Sequence, residues 1–224
     1  MNYTLIRSNR KTVAIHIKPG NIVEVRAPIR TPKADIDKIV ASKEKWIKEK
    51  LLLIQERSDK KSYFLLDYGD MVMYRGAEYP IMAREGARMG FDGVQFFIPA
   101  GWDSGQIKNA CVQIYKILAK NVLTKKVLYF AKIMGVMPIA VKINSAKTRW
   151  GSCSAKKSLN FSWRLVMADE ETIDYVVVHE LAHITEMNHS DRFWRVVSGV
   201  LPDYKKLQER LKALQQRLGG EDWE

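Results

Sequence analysis

The sequence predicts an α+β fold in which a β-rich N-terminal region precedes a largely helical C-terminal half. Three observations predict it. The first hundred residues contain short runs of alternating apolar and polar side chains, one helical pattern lies near residues 33–57, and helical stripes dominate after residue 104. A Pro-Ala-Gly-Trp-Asp-Ser segment at 99–104 separates the two parts. We therefore expect an N-terminal region over 1–103 and a second domain over 104–224.

The N-terminal region is predicted to contain two groups of strands around one long helix. Strands are expected at 3–7, 12–17 and 22–27, and this order predicts an antiparallel meander. Pro32 then begins the helix over 33–57, in which apolar residues alternate with charged ones. A second group of strands is expected at 71–74, 79–83 and 94–98, with glycines between them.

The C-terminal half is predicted to be a helix, three strands and three further helices. Ser104 is a candidate cap for a helix that ends at Gly135, and Asp169 is a candidate cap for a helix from Glu171 to about Met187. The strands are expected at 139–143, 147–152 and 160–165, and the last helices at 191–200 and 202–218.

Composition restricts the class of protein. The chain has 224 residues, of which 46% are hydrophobic, so it can bury a substantial core. The sequence shows neither a secretion signal at its start nor an apolar run long enough to span a bilayer, and we expect no membrane partner. Two cysteines are too few for a disulfide framework. The expected compartment is therefore the cytoplasm.

The net charge of +12 is unevenly distributed, because no Asp or Glu occurs between Ser104 and Ala168. That stretch carries twelve basic residues: Lys108, Lys116, Lys120, Lys125, Lys126, Lys132, Lys142, Lys147, Arg149, Lys156, Lys157 and Arg164. A basic middle of this kind can attract nucleic acid. It is also what a solvated, lysine-rich helix face looks like.

A histidine cluster carries the strongest chemical signal. His179-Glu180-Leu181-Ala182-His183 lies inside a predicted helix, where residues four apart share a face, so both imidazoles can bind one metal ion. Glu180 is then placed to reach water at the metal. The sequence predicts a zinc site with a general base beside it.

The third ligand has two candidates. His189 supplies a third imidazole if the helix ends near Met187 and Asn188, where Asn tolerates the left-handed backbone of such a turn. Glu186 lies seven residues after His179 on the same helical face, and it is also placed to orient a histidine from outside the ligand set. Cys153 is a candidate fourth ligand that would close the site.

Several separate motifs resemble the YgjP-like metallopeptidases, which are relatives of the SprT, Spartan and WLM proteases. They lie at 149–154 (Arg-Trp-Gly-Ser-Cys-Ser), 160–165 (Asn-Phe-Ser-Trp-Arg-Leu), 173–183 (from Ile173 through the histidine motif) and 188–194 (Asn-His-Ser-Asp-Arg-Phe-Trp). The resemblance implies a minimal zincin, with a backing helix near 105–135, a short sheet with an antiparallel edge, and the zinc helix. It implies that His179, His183 and His189 bind zinc, that Glu180 is the base, and that the strand over 149–153 borders the cleft.

The expected function is therefore zinc-dependent hydrolysis of peptide bonds, with one Zn²⁺ per chain and Glu180 as general base. A protein or peptide substrate is expected to pair with the strand at Arg149, Trp150, Gly151 and Ser152. Arg149 and Tyr204 are candidates to stabilise the oxyanion, and Trp150 and Trp163 are equally well explained as core aromatics.

The sequence leaves three alternatives open. One is a nucleic-acid-associated module in which the zinc is structural, and another is a protease guided to DNA by the basic stretch. The third is a hydrolase of a non-peptide amide. A fourth protein ligand on the metal would favour the structural module.

Overall fold

The computed structural model describes residues 2–18, 20–62 and 64–223, with the side chains of 54–62 left out. The predicted α+β class is confirmed: the described residues form six α-helices and three small mixed sheets. The chain divides into two compact units, one made of residues 1–64 and 219–222 and the other of 65–218 and 223–224. The expected boundary at 103/104 lies inside the second unit, between its first sheet and its first helix.

The first unit is a three-stranded sheet with two helices. Its strands are β1 (Thr4–Ser8), β2 (Ala14–Lys18) and β3 (Ile22–Pro28), and its helices are α1 (Lys33–Ser42) and α2 (Glu44–Ser62). Val25, Ile36 and Ile47 are fully buried in its core. The expected single helix over 33–57 is interrupted at Lys43, whose backbone N–H bonds to the carbonyl of Val40 instead of continuing the helical ladder.

The predicted antiparallel meander is wrong for the first strand. β3 is central, and β2 pairs with it antiparallel, as expected for neighbouring strands. β1 instead pairs with β3 in parallel, with Thr4 opposite Glu24. Parallel and antiparallel strands share the same two-residue side-chain alternation, so the pattern that identifies β1 does not determine its direction.

The second unit begins with a four-stranded sheet in the order β4-β5-β7-β6, formed by β4 (Met71–Tyr74), β5 (Ala77–Arg84), β6 (Gly90–Phe91) and β7 (Phe96–Pro99). β4 and β5 are joined by Arg75 and Gly76, which both have positive φ, as a two-residue hairpin turn of this hand requires. A Cβ on Gly76 would lie 3.0 Å from the Cα of Asp169, so only glycine allows this close approach.

The remaining elements form the helical part of the second unit. They are α3 (Ser104–Met134), β8 (Ala140–Asn144), β9 (Gly151–Cys153), β10 (Ser158–Ser162), a 3-10 helix (Trp163–Met167), α4 (Glu170–Ala182), α5 (Asp191–Val200) and α6 (Tyr204–Leu218). β10 is central, parallel to β8 and antiparallel to β9. The backing helix, short sheet and histidine helix that the family resemblance implies are all present in the expected order.

The two ends of α3 and the start of α4 lie at or next to the residues that the sequence predicted. α3 is capped by Asp103 and not by Ser104, because Asp103 accepts a hydrogen bond from the Gln106 backbone N–H while the Gln106 side chain accepts one from the Asp103 N–H. The helix ends at Gly135, which has φ 65°, as expected. Asp169 caps α4 as expected, by accepting from the Thr172 N–H at 2.9 Å.

The N-terminal end of α4 is held by ion pairs to two other elements. Glu170 pairs with Arg75 in the hairpin turn and with Lys126 of α3, and Lys126 also pairs with Asp174. α3 packs along α4 and the 3-10 helix. These contacts fix the helix that carries the histidine cluster.

Among the helices of the described residues, none combines the length and the apolar character that a bilayer crossing demands.

Candidate metal centre

Three histidines converge at the C-terminal end of α4. His179 lies on α4, His183 caps the C-terminal end of that helix, and His189 lies in the connection between α4 and α5. The Nε2 atoms of His179 and His189 lie 3.0 Å apart, and one ring nitrogen from each histidine falls within 4.8 Å of the others. Such a set of imidazole nitrogens fits one small metal ion with N-ligand preference.

The helix ends earlier than expected. α4 stops at Ala182, five residues before Met187, and Asn188 does not have the left-handed backbone expected of it. Irregular turns after the helix, with bonds from the Ile184 N–H to the Leu181 carbonyl and from the Thr185 N–H to the Ala182 carbonyl, carry the chain round to His189. The early end brings His189 back towards His179.

Glu186 consequently is not on the helical face that made it a candidate ligand. Its backbone carbonyl accepts a hydrogen bond from Nδ1 of His183 at 3.1 Å. Glu186 therefore contacts a histidine of the cluster through its main chain. Because Nδ1 of His183 is engaged in this bond, the Nε2 atom is the one free to bind a metal.

Aromatic side chains of α5 back the cluster. Phe193 is fully buried, and its ring centroid lies 4.6–4.9 Å from those of all three imidazoles. Trp194 stacks on His189 at 5.8 Å and on Tyr204 at 5.1 Å. Tyr204, a candidate to stabilise the oxyanion, thus has its ring against Trp194, and this stack supports His189.

Burial keeps two of the three histidines uncharged. Burial lowers the pKa of His179 to about 3, and the neighbouring His183 and His189 also lower it. Burial also lowers the pKa of His183. These two imidazoles are therefore neutral at neutral pH, which is the form that binds metals.

Glu180 lies next to the first histidine in a dry environment. Its side chain is only 6% exposed, and burial raises its pKa to about 7, although the guanidinium of Arg149 opposes this shift. Its Oε2 atom is buried without a hydrogen-bond partner. A buried polar atom without a partner costs folding free energy, so this oxygen calls for a partner such as water at the metal site.

The strand beside Glu180 is β9, the edge of its sheet. It is shorter than the predicted strand over 147–152. Arg149 is exposed and precedes it, and Trp150 bonds through its carbonyl to the Ser162 N–H at 2.9 Å. Gly151 and Ser152 lie on the strand itself and are half-buried. The four predicted substrate residues are therefore consecutive, two just before this edge strand and two on it, and Gly151 lies against Glu180.

Gly151 of this strand lies against the side chain of Glu180. A Cβ on Gly151 would lie 2.6 Å from both Cγ and Oε1 of Glu180, well inside van der Waals contact. The absence of a side chain at 151 is thus what leaves room for the Glu180 side chain.

We expect Gly151→Ala to lower the melting temperature and to displace the Glu180 carboxyl group. Forcing a methyl group into such a space costs ~1–3 kcal/mol. Gly199→Ala is the matched control, because a Cβ there meets nothing within 4 Å and α5 gains a better helix former. Thermal melting of both variants checks this. Equal effects of the two substitutions would show that the space at 151 is not needed.

The other sequence candidates have different positions. Cys153 is half-buried at the end of β9, and its thiol donates to the Ser154 carbonyl, so it is not part of the histidine group. Trp163 is buried and stacks on Tyr115 of α3, so it is a core aromatic. Trp150 is half-buried.

A family model for the YgjP-like metallopeptidase domain matches residues 11–214. The chain belongs to this family. The predicted class of enzyme, a zinc metallopeptidase, is confirmed by this membership. None of the curated proteins compared with the chain matches it significantly.

Two solved structures are similar to part of the chain. The zymogen of the metallopeptidase abylysin from Pyrococcus abyssi is 26% identical, with a TM-score of 0.40, and the match covers 42% of this chain and 95% of that one. The zymogen of jannalysin from Methanocaldococcus jannaschii is 25% identical, with a TM-score of 0.37 and the same coverage.

Two features of the site were missed from the sequence. Tyr175 contacts His179, and Phe193 contacts all three histidines. Tyr175 could have been found, because it lies four residues before His179 and so shares its helical face. Phe193 could not, because its position depends on how α5 packs against α4.

Proposed function

We propose that this chain hydrolyses peptide bonds at a zinc ion held by His179, His183 and His189, with Glu180 as the general base. One arrangement carries the proposal: a converging group of imidazoles, two of them kept neutral by burial, lies beside a buried carboxyl group that has an oxygen without a partner. Packing explains the glycine opposite this carboxyl group, but it does not explain the oxygen left without a partner.

The residues around the site support distinct steps. A bound zinc ion would supply Lewis-acid chemistry, lowering the pKa of water and polarising the carbonyl to be attacked. Glu180 accepts the proton of the attacking water and passes it to the leaving amine nitrogen. Burial raises the pKa of Glu180 to about 7 in the metal-free site, and the positive charge of a bound zinc ion would lower it and favour the carboxylate that accepts the proton.

The substrate is proposed to bind along β9. In the described residues this strand pairs with β10 on one side only, so its other edge can accept an extended peptide as an added strand. Main-chain hydrogen bonds at Gly151 and Ser152 would place the scissile carbonyl next to Glu180. Arg149 and Trp150, just before the strand, would then contact neighbouring substrate residues.

The test is hydrolysis of a library of unstructured peptides by the zinc-loaded protein. We expect cleavage that a chelator abolishes and added Zn²⁺ restores. If the protein hydrolyses non-peptide amides but no peptide, the alternative of a non-peptide amide hydrolase replaces this proposal. An inactive protein that nonetheless binds zinc tightly would favour the structural module.

The number of candidate ligands argues against that structural module. Within the described part of the chain, the group around His179 contains three histidines and no cysteine or carboxylate. Structural zinc sites are closed by four protein ligands, whereas catalytic sites keep one position open.

The two free cysteines also agree with the expected cytoplasmic compartment.

A nucleic-acid partner is a second candidate function, because the basic residues of 104–168 are largely exposed. The exposed ones are Lys116, Lys120, Lys125, Lys132, Lys142, Lys147, Arg149, Lys156 and Lys157. Lys126 differs, since it is half-buried and paired with Glu170 and Asp174. A surface of this charge, close to Glu180 through Arg149, would bring the protease to substrates on DNA.

We expect weak binding to DNA at low salt that falls ~10- to 100-fold between about 50 and about 200 mM salt, as a few phosphate contacts imply. Lys120→Glu with Lys132→Glu, both exposed on α3, should weaken it. The same charge change at Lys205 and Lys212 of α6 is the control. Fluorescence anisotropy checks this. If the two double variants weaken DNA binding equally, the net charge of the protein and not this particular surface is responsible for the binding.

A further inference from the structure

We propose that Tyr175 is a positioning residue for His179 and that Gln208 holds Tyr175 in place. This inference rests on the proposed function, in which His179 binds the metal ion. Neither residue belongs to the histidine motif, and Gln208 comes from α6, 29 residues after His179 in the sequence. The pair would link the last helix of the chain to the metal site.

Tyr175 lies one turn before His179 on α4 and is buried. Its hydroxyl oxygen is 3.4 Å from Nδ1 of His179, and the two ring centroids are 5.8 Å apart. This distance is at the long end of the hydrogen-bonding range. Tyr175 therefore faces the nitrogen of His179 that points away from the cluster.

Gln208 fixes the hydroxyl group from the other side. Its Nε2 donates to the Tyr175 oxygen at 3.0 Å. A phenolic oxygen has two lone pairs, so after accepting from Gln208 it can still accept from the Nδ1–H of His179. That tautomer leaves Nε2 of His179 with a free lone pair, and this is the nitrogen 3.0 Å from Nε2 of His189.

His183, which caps the C-terminal end of α4, is oriented in the same way. Nδ1 of His183 bonds to the Glu186 carbonyl, and this leaves its Nε2 for the cluster. His179 and His183 thus both have an oxygen partner on Nδ1, from a side chain for His179 and from the main chain for His183. Only the Tyr175 partner can be removed by substitution, because the Glu186 carbonyl belongs to the backbone.

The experiment measures zinc affinity by competition with a chromogenic chelator. We expect Tyr175→Phe, which keeps the ring and removes the oxygen, to weaken zinc binding ~10- to 100-fold, the usual cost of losing such a partner. Gln208→Leu should weaken it less. Tyr129→Phe is the control for the chemical change, because Tyr129 is 63% exposed on α3. A second readout is the ¹⁵N shift of His179 in the zinc-free protein, where the Nδ1–H form should lose population in Tyr175→Phe.

Unchanged zinc affinity and unchanged ¹⁵N shifts in Tyr175→Phe, relative to Tyr129→Phe, would overturn the inference. If Tyr175→Phe does not fold, Gln208→Leu decides, since Gln208 acts on His179 only through Tyr175. Failure of the proposed function looks different. In that case the wild-type protein itself would bind zinc no better than a variant without the histidines.

Discussion

Glu180→Gln is expected to retain its zinc and its fold while losing nearly all hydrolytic activity. Glutamine keeps the shape of the side chain but cannot accept a proton, and proton transfer by a placed carboxylate is commonly worth ~100- to 10,000-fold in rate. Hydrolysis of one cleaved peptide, zinc stoichiometry and thermal melting should be measured side by side. A variant as active as the wild type would end the proposed mechanism, and a variant without zinc would give Glu180 a structural role instead.

The same variant should be more stable than the wild type once zinc is removed, and only at higher pH. Glu180 has a folded-state pKa of about 7, above the ordinary carboxyl value of 4.5. Below pH 4.5 Glu180 is protonated in both the folded and the unfolded state, so its ionisation does not lower the free energy of unfolding. As the pH rises from 4.5 to 7 the unfolded state ionises first, so the wild type loses up to about 3 kcal/mol that the neutral glutamine does not lose.

Melting of the zinc-free proteins at pH 5 and pH 8 checks this. The histidines also change stability with pH, because burial lowers the pKa of His179 and His183, but both proteins share that change. The difference between variant and wild type therefore reports on Glu180. A gain for Glu180→Gln that is the same at the two pH values would mean that the ionisation of Glu180 is not its cause.

His189→Ala is expected to lose zinc, whereas Glu186→Ala is expected to keep it. His189 presents its Nε2 to the cluster, and removing a direct ligand should cost more than the ~10- to 100-fold of an outer partner. Glu186 contacts the cluster only through its backbone carbonyl, which the substitution preserves. Zinc content after dialysis against a weak chelator measures both. Zinc retained by His189→Ala and lost by Glu186→Ala would reverse the assignment of the third ligand.

The parts of the site that the sequence predicted are those set by local rules. The spacing of His179 and His183 places them on one helical face, and the caps at Asp169 and Gly135 follow from residue type. The misassigned cap at Ser104 shows the limit, because Ser and Asp are both good caps and the partner at Gln106 decides between them.

The parts that the sequence did not predict depend on contacts between distant residues. The apolar pattern of α4 continues through Ile184, yet the helix stops at Ala182, where the turn that carries His189 begins. The parallel pairing of β1 leaves no mark in the alternation of its side chains. The opposition of Gly151 and Glu180 arises only when β9 and α4 pack together.

The contact between the β4–β5 turn and α4 has a consequence for how the site folds. The pair of Arg75 and Glu170 spans 95 residues of sequence, and the Arg75 and Gly76 backbones bond to the carbonyls of Val166 and Met167, just before α4. Contacts of such long range close large loops and form slowly. During synthesis the hairpin leaves the ribosome long before the histidines do. A fragment beginning at residue 104 would lack this template, so we expect the smallest piece able to assemble the metal centre to begin near residue 65.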